Sequence, residues 1–336
     1  MTGATTRVDQ LGAAVSWSES AVLVTGGTGS FGNKFAEIML QTHHPKRLVI
    51  FSRDELKQSE MMARFSHPSL RFFIGDVRDK ERLERAMHGI DIVVHAAALK
   101  QIPTCEYNPF EAIQTNVIGG KNVIDAAIDQ GVKRVLAIST DKACQPVNLY
   151  GATKLCAEKL FVQANAYGHA RGTVFSVVRY GNVIGSRGSV IPLFASQRAS
   201  GTVTVTDPGM TRFWIRLEQG IEFAIRCASL IRGGEIFVPK IPSMRMMDLV
   251  AAVAPGCKVE FIGIRPGEKL HEVLMSDDES RQAVEFEDMF VIEPIYPSWP
   301  FRSRAGGKPP APGFRYSSET NDWWFSDAEM RGVADG

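Results

Sequence analysis

Cysteine is scarce: the 336 residues hold 5, Cys105, Cys144, Cys156, Cys227 and Cys257, irregularly spaced and without a CxxC pair. Neither a disulfide framework nor a zinc ribbon is supported, and a reducing compartment is the simple reading. Histidine is sparse too, and none of the 7 (His43, His44, His67, His88, His95, His169 and His271) stands in an i,i+4 metalloprotease context, so no metal is expected. No stretch reaches the roughly 18 apolar residues of a membrane span. Residues 1–20 lack a basic start followed by an apolar core and read as a loose extension rather than a signal peptide. A cytoplasmic location is expected. Charge of one sign is missing as well: Lys+Arg 38 against Asp+Glu 37 leaves +1, which gives no global field for nucleic acid or an anionic membrane. No internal repeat is visible.

What is present is a globular composition, 44% hydrophobic and 22% charged with 30 Gly and 17 Pro, on a chain long enough for one large domain or a main domain with an elaborated second part. Apolar runs that do not alternate recur at 21–25, 48–51, 71–74, 92–95, 135–139 and 174–179, separated by helical segments. Buried parallel strands require that pattern. Single helical stretches are expected over about 108–129 and 150–167. The spacing predicts an α/β fold, a Rossmann doubly wound parallel sheet over residues 21–182. A smaller substrate-binding region follows over 183–336, with possible returns to the sheet.

The first run ends in Gly26-Gly27-Thr28-Gly29-Ser30-Phe31-Gly32 and a helical pattern follows. Gly27, Gly29 and Gly32 have the dinucleotide spacing, which lets a pyrophosphate approach the backbone at a helix N-terminus. After the second run, where an NAD enzyme places an acid for the ribose 2′-hydroxyl, this chain has Ser52 and Arg53, with Lys57 one turn on. A guanidinium fork suits a 2′-phosphate, so NADP is preferred. Asp54 is an acid close enough to keep NAD open. Asp76, at the end of the third strand, suits the adenine amino group, or else caps the helix before Lys80.

Tyr150 and Lys154 are four residues apart and so share one helix face. A nearby ammonium and an oxidised nicotinamide both favour phenolate, which lets Tyr150 take a proton from a sugar hydroxyl. Thr140, at the end of the preceding strand, is placed to donate to the same oxygen. His95 is expected to be a packed or hydrogen-bonded residue, and Cys144 an inert thiol.

These stretches, with Gly75-Asp76-Val77-Arg78-Asp79, Ala96-Ala97-Ala98-Leu99-Lys100-Gln101, Ser139-Thr140-Asp141-Lys142-Ala143, Arg179-Tyr180-Gly181-Asn182-Val183 and Arg265-Pro266-Gly267-Glu268-Lys269, resemble the extended short-chain dehydrogenase/reductase superfamily. Within it, the chain is similar to the inverting UDP-N-acetylglucosamine 4,6-dehydratases that begin pseudaminic acid synthesis. The matches span residues 21 to about 275.

The resemblance implies that Tyr150 deprotonates the 4-hydroxyl while hydride goes to NADP, with Lys154 on the nicotinamide ribose and Thr140 assisting. The 4-ketone then acidifies C5; Lys142 takes that proton, Asp141 protonates the departing 6-hydroxyl, and hydride returns to C6 with C5 inverted. Such a Lys142 must be neutral for part of the cycle, so a depressed pKa is expected, and Asp141 needs the reverse. The resemblance extends the cofactor set to Val77, Ala96, Ala97, Ala98, Lys100 and Thr115. It implies substrate contacts at Lys100, Thr140, Asn182, Arg187, Arg212 and Arg265. Pro192, Phe194 and residues 210–213 are expected to close the pocket around the nucleotide. The segment Tyr316–Asp322 resembles a distal substrate segment, although Trp323, Trp324 and Phe325 read better as docking the tail on the core.

Tyr150 where some membrane-attached relatives carry methionine, and Lys142 where retaining hexose dehydratases carry glutamate, both point to the soluble inverting branch. A retaining 4,6-dehydratase, a 4-epimerase and a non-enzymatic NADP-binding sensor or scaffold stay open. The resemblance also implies a homo-oligomer, dimer or higher, and a place in bacterial surface or flagellin glycosylation.

Overall fold

The computed structural model describes residues 15–184, 190–295, 297–326, 329 and 332. Six parallel strands come first: β1 (Ala21–Thr25), β2 (Arg47–Ser52), β3 (Leu70–Ile74), β4 (Ile92–His95), β5 (Arg134–Thr140) and β6 (Val174–Tyr180). Then follow β7 (Asn182–Ile184), β8 (Thr202–Val205), β9 (Thr211–Arg216), β10 (Ile236–Pro239), β11 (Ser243–Arg245), β12 (Lys258–Phe261), β13 (Val273–Met275), β14 (Ala283–Glu285), β15 (Met289–Ile292) and β16 (Tyr316–Ser317). The main sheet has nine strands in the order β14-β15-β10-β6-β5-β4-β1-β2-β3. Strand order reverses on either side of β1, and ligands of such sheets bind outside the carboxyl ends at that switch.

The apolar runs sit where their composition demands. All five residues of β1 and all four of β4 are buried, because helices cover both faces of the parallel sheet. The chain returns to this sheet late: β10 joins β6 in parallel, and β15 and β14 extend it antiparallel. Smaller sheets carry the rest: β11-β9-β7 and β12-β8 contribute to a second apolar core that includes Phe194, Met210, Trp214 and Leu249, whereas β13-β16 packs Leu274, Met275 and Tyr316 into the main core.

The helices between strands are α1 (Ser30–Ile38), α2 (Glu55–Arg64), α3 (Lys80–Met87), α4 (Ile102–Tyr107), α5 (Pro109–Ile113), α6 (Gly119–Asp129) and α7 (Leu149–Gln163). Opened by Pro109, which has no N–H to continue α4, the helical stretch expected over 108–129 runs without a gap to Asp129, as α5, a π-helical turn at Gln114–Ile118 and α6. That turn buries Asn116, whose amide donates to Leu99 O and Thr153 Oγ1 while its oxygen accepts from Leu99 N. It thereby ties the segment after β4 to α7.

Candidate active site

The turn after β1 opens α1 with its N-terminal amides facing a cleft of about 730 Å³, within the ordinary range for cofactor sites. The cleft is lined by Gly26, Thr28, Gly29, Ser30 and Phe31 at one end and by Thr140, Lys142, Tyr150, Lys154 and Asn182 at the other, with Ala96, Ala97, Ala98, Lys100, Thr115 and Val77 between. Gly27 and Gly32 lie behind the lining. A Cβ on Gly32 would stand 2.2 Å from the Gly27 carbonyl oxygen, so only glycine lets α1 pack down on the turn. A second groove, of about 660 Å³, lies over β2 and β3 and contains none of the predicted site residues.

At the dinucleotide end, the Thr28 and Ser52 hydroxyls are bonded to each other at 2.7 Å. Asp54 is committed to α2: it caps the helix by accepting from Lys57 N at 3.0 Å, and it pairs with Lys57 Nζ at 2.5 Å. Arg53 stays 56% exposed at the rim, 3.5 Å from Asp76. Burial pushes Asp76 up, but its two-pronged pairing with Arg78 prevails and the carboxyl lies below its usual value. The cap of α3 is Asp79, which accepts from Arg82 N, so the capping role considered for Asp76 falls to a neighbour. His95 is buried against Thr25 Oγ1 at 2.8 Å, and burial holds its imidazole at about 3. The Cys144 thiol, pushed by burial to about 12, donates to Glu279.

The chemistry collects where β5 ends. Asn148 caps α7 by accepting from Gly151 N at 2.7 Å, which sets Tyr150 and Lys154 over the strand end. Gly151 has a specific reason: a Cβ there would come within 2.2 Å of the Lys142 carbonyl oxygen, so α7 and the turn Asp141–Ala143 touch backbone to backbone. Thr140 Oγ1 donates to Asp141 Oδ1 at 2.8 Å and also hydrogen-bonds the Tyr150 phenol. Lys142 Nζ donates to the same Asp141 oxygen at 2.9 Å and to Asn182 Oδ1 at 3.2 Å. Lys154 Nζ donates to Ile138 O at 2.7 Å. Asp141 Oδ2 and Thr115 Oγ1 are buried without a hydrogen-bond partner among the described residues.

Two electrostatic expectations need correction. Burial pushes the Tyr150 phenol up to about 12, and the opposing pull comes from Lys142 and the Thr140 hydrogen bond rather than from Lys154. Lys154 itself is drawn down to about 8 by burial. Lys142 was expected below its ordinary value; burial does act that way, but Asp141 and a second carboxylate, Glu272, outweigh it and the net shift is upward. Lys100, exposed along the cleft, is pushed down by partial desolvation and then by the Lys142 charge.

Two of the predicted substrate residues stand apart from the cleft lining. Arg212 is buried, and its guanidinium donates to Thr211 O, Leu270 O and Lys269 O. Arg265 is 56% exposed, and its near neighbour is Glu268 at 3.9 Å. Arg187 lies outside the described residues. The tail from 323 to 325 runs along β11, where Trp323 O and Phe325 N bond Ser243 and Arg245 lies over Trp324. Phe194 belongs to the second core.

Sequence reasoning missed Glu272, Tyr180 and Trp214. Tyr180 and Trp214 line the cleft, Tyr180 at the end of β6 and Trp214 opposite Asn182 in the β7–β9 pairing. Their signal was present only as ordinary buried aromatic positions. Behind the site Arg179, fully buried, donates to Glu158 at 2.6 and 3.0 Å and to Glu279 at 2.9 and 3.0 Å. Glu158 accepts from Ser139 at 2.5 Å.

Residues 22–294 match the family described as polysaccharide biosynthesis protein. A curated relative from Campylobacter jejuni, named UDP-N-acetylglucosamine 4,6-dehydratase (inverting), is 50% identical, the match covering 94% of this chain and 97% of the relative. A Rickettsia canadensis protein named UDP-glucose 4-epimerase is 44% identical over 82% of this chain and 83% of its own length. Among solved structures, Pen from Bacillus thuringiensis superposes with a TM-score of 0.87 at 41% identity, covering 94% of this chain and 97% of that one.

Proposed function

The chain belongs to the polysaccharide biosynthesis protein family, and we propose that within it this protein is an inverting UDP-N-acetylglucosamine 4,6-dehydratase that works with NADP. The high identity to the Campylobacter jejuni dehydratase over nearly all of both chains supports the activity. The observation that carries the reading is the convergence of Tyr150, Thr140 and Lys142 at one end of the cleft, with Asp141 buried behind them and bonded to Thr140 and Lys142. A lysine at position 142 favours inversion over retention.

The residues fit a dinucleotide. The α1 N-terminus and the glycine turn would hold the pyrophosphate, Arg53 with Ser52 and Lys57 the 2′-phosphate, and Lys154 the nicotinamide ribose; the unpartnered Thr115 hydroxyl points to a polar occupant nearby. Bound there, the cofactor would accept hydride from C4 of the sugar and return hydride to C6. Tyr150 takes the proton of the 4-hydroxyl. Lys142 passes its proton to Asp141, 2.9 Å away, and the neutral amine takes the C5 proton that the 4-ketone has made acidic, while Asp141 delivers the proton it received to the departing 6-hydroxyl. Asn182 and Lys100 stand where the sugar and diphosphate would pass.

Following the resemblance, the enzyme would work in the cytoplasm and feed pseudaminic acid synthesis and flagellin glycosylation. Among the described residues no helix is long and apolar enough to cross a membrane, and no cluster of potential metal ligands occurs. Product analysis tests the reading: incubation with UDP-N-acetylglucosamine should yield a 4-keto-6-deoxy sugar with C5 inverted. A C5-retained product or a C4 epimer would replace this function with another.

The cofactor preference has its own test. Because Asp54 is occupied as a helix cap and Arg53 is exposed at the rim, Arg53→Ala should weaken NADP by roughly 10- to 100-fold, the worth of a charged hydrogen bond, and NAD far less. Equal changes in the two dissociation constants would remove Arg53 from 2′-phosphate recognition. Self-association is expected as well: Tyr107 and Phe110 are 88% and 79% exposed on α4 and α5, beside Ile113 and near α7 with its exposed Leu160, and such a surface suits burial against a second copy. Sedimentation at micromolar concentration should show a dimer or larger species, and a monomer would defeat the idea.

A further inference from the structure

Lys142 is met by two carboxylates, and only one of them belongs to its own turn. Glu272, in the segment before β13, is 2% exposed, with Oε1 3.4 Å from Lys142 Nζ and 3.8 Å from Arg212 Nε. Its Oε2 lies 3.7 Å from Lys269 Nζ and makes no hydrogen bond among the described residues. One buried acid therefore faces three cations. Two of those cations are committed elsewhere, Arg212 to three carbonyls and Lys269 to Cys144 O at 2.6 Å.

The backbone of Glu272 is held firmly. Glu272 N donates to Ser318 Oγ at 2.9 Å, and Glu272 O accepts from Ser318 N at 2.8 Å and from Ser317 Oγ at 3.4 Å. β16 pairs with β13 directly beyond it. Arg212, Lys269 and the Tyr316–Ser318 segment, whose family resemblance suggested contact with substrate, thus converge on the turn that carries Lys142.

On the reading of Lys142 as the C5 base, we propose that Glu272 is a positioning residue for Lys142: its carboxylate, with Asp141 and Asn182, holds the ε-ammonium at the cleft and sets the pH range in which the C5 step runs. The groups facing Lys142 are Asp141 on its own turn, Glu272, Asn182 on β7, Arg212 on β9, Lys100 after β4 and Tyr150 on α7. Of these, only Asp141 and Glu272 favour the charged amine. His271, adjacent in sequence, is turned to Thr211 and Glu319.

The sign follows. A base must shed its proton, and an opposite charge beside an amine retards that. Replacing Glu272 with its neutral isostere should move the acid limb of C5 exchange to lower pH by roughly one unit or more. The plateau rate should fall several-fold because the amine loses one of its anchors, while the KM for UDP-N-acetylglucosamine and the thermal midpoint of the dinucleotide complex stay close to wild type.

The experiment measures C5 deuterium incorporation into UDP-N-acetylglucosamine-derived product between pH 6 and 11 for wild type, Glu272→Gln and Glu272→Asp. The Asp variant keeps the charge but withdraws it by one methylene, so its acid limb should lie between the other two. Superimposable acid limbs for wild type and Glu272→Gln overturn the proposal. If Glu272→Gln does not fold, Glu272→Asp decides alone, and a profile identical to wild type in limb and plateau overturns it. Absence of C5 exchange in wild type defeats the dehydratase reading and this inference together, whereas exchange in wild type with an unshifted variant defeats the inference only.

Discussion

Lys142→Met should lower C5 proton exchange and dehydration by roughly 10²-fold or more, the loss typical of removing a positioned general base, while the oxidation at C4 survives. The difference from Tyr150→Phe identifies the step. Removing the phenol abolishes the first proton transfer, so oxidation, C5 exchange and water loss should fall together, because C5 is not acidic without the 4-ketone. In Lys142→Met the Tyr150–Thr140 pair remains, and the absorbance of reduced cofactor should rise on adding substrate and then persist. Both variants and wild type are followed in deuterated water by that absorbance, by C5 deuterium content and by the stereochemistry of the product. Normal exchange and an undiminished inverted product from Lys142→Met would show that another group takes the C5 proton. The packing of α7 on the catalytic turn makes methionine the suitable replacement: it keeps the side-chain length beside Asp141 and alters no backbone contact at Gly151.

Arg179→Met should destabilise the protein by roughly 3–5 kcal/mol, the cost of leaving buried acids without their counter-charge. The guanidinium is fully buried and reaches Glu158, Glu279 and Leu274 O, so its loss strands two carboxylates behind the site. Glu279 gives the pH signature. Burial pushes its carboxyl up, but Arg179 prevails and holds it at about 2, against an ordinary 4.5. An acid lowered by folding stabilises the native state above its unfolded pKa and loses that contribution as pH falls through the folded value. The gap between wild type and Arg179→Met should therefore be widest above pH 4.5 and narrow toward pH 2. Denaturant unfolding across that window measures it, and a gap below 1 kcal/mol at pH 7 would contradict the assignment. Adding Glu158→Gln and Glu279→Gln to Arg179→Met should restore part of the loss, since the stranded charges disappear with the acids. Activity should fall alongside stability, because Glu158 lies on the helix of Tyr150 and Lys154 and holds Ser139 next to Thr140.

The parts of the site built from neighbours in the chain were legible without a structure. The strand–turn–helix at 21–38 is written in an apolar run, a glycine spacing and a helical pattern, all within a few turns. The Tyr150–Lys154 face follows from helical geometry alone, and Thr140, Asp141 and Lys142 follow from the end of one apolar run. Composition, the scarcity of cysteine, the lack of long apolar runs and the near-zero net charge narrowed the remaining possibilities.

What only the folded chain decided are relations between segments far apart in sequence. The π-helical turn inside the 108–129 stretch sets Asn116, whose side chain is needed at Leu99 and Thr153. The completion of the sheet by β10, β15 and β14 depends on partners that short apolar runs do not specify. Arg212 reads from its surroundings in sequence as a phosphate ligand, yet its donors are taken by the carbonyls of Thr211, Lys269 and Leu270. The direction of the Lys142 shift was misjudged because the expectation came from the chemistry's need for a neutral amine, and Glu272 was not visible beside it. A residue type and its spacing carry short-range geometry, whereas a lysine's proton is governed by whichever carboxylates the fold brings within a few ångströms, and one of the two at Lys142, Glu272, comes from a distant part of the chain.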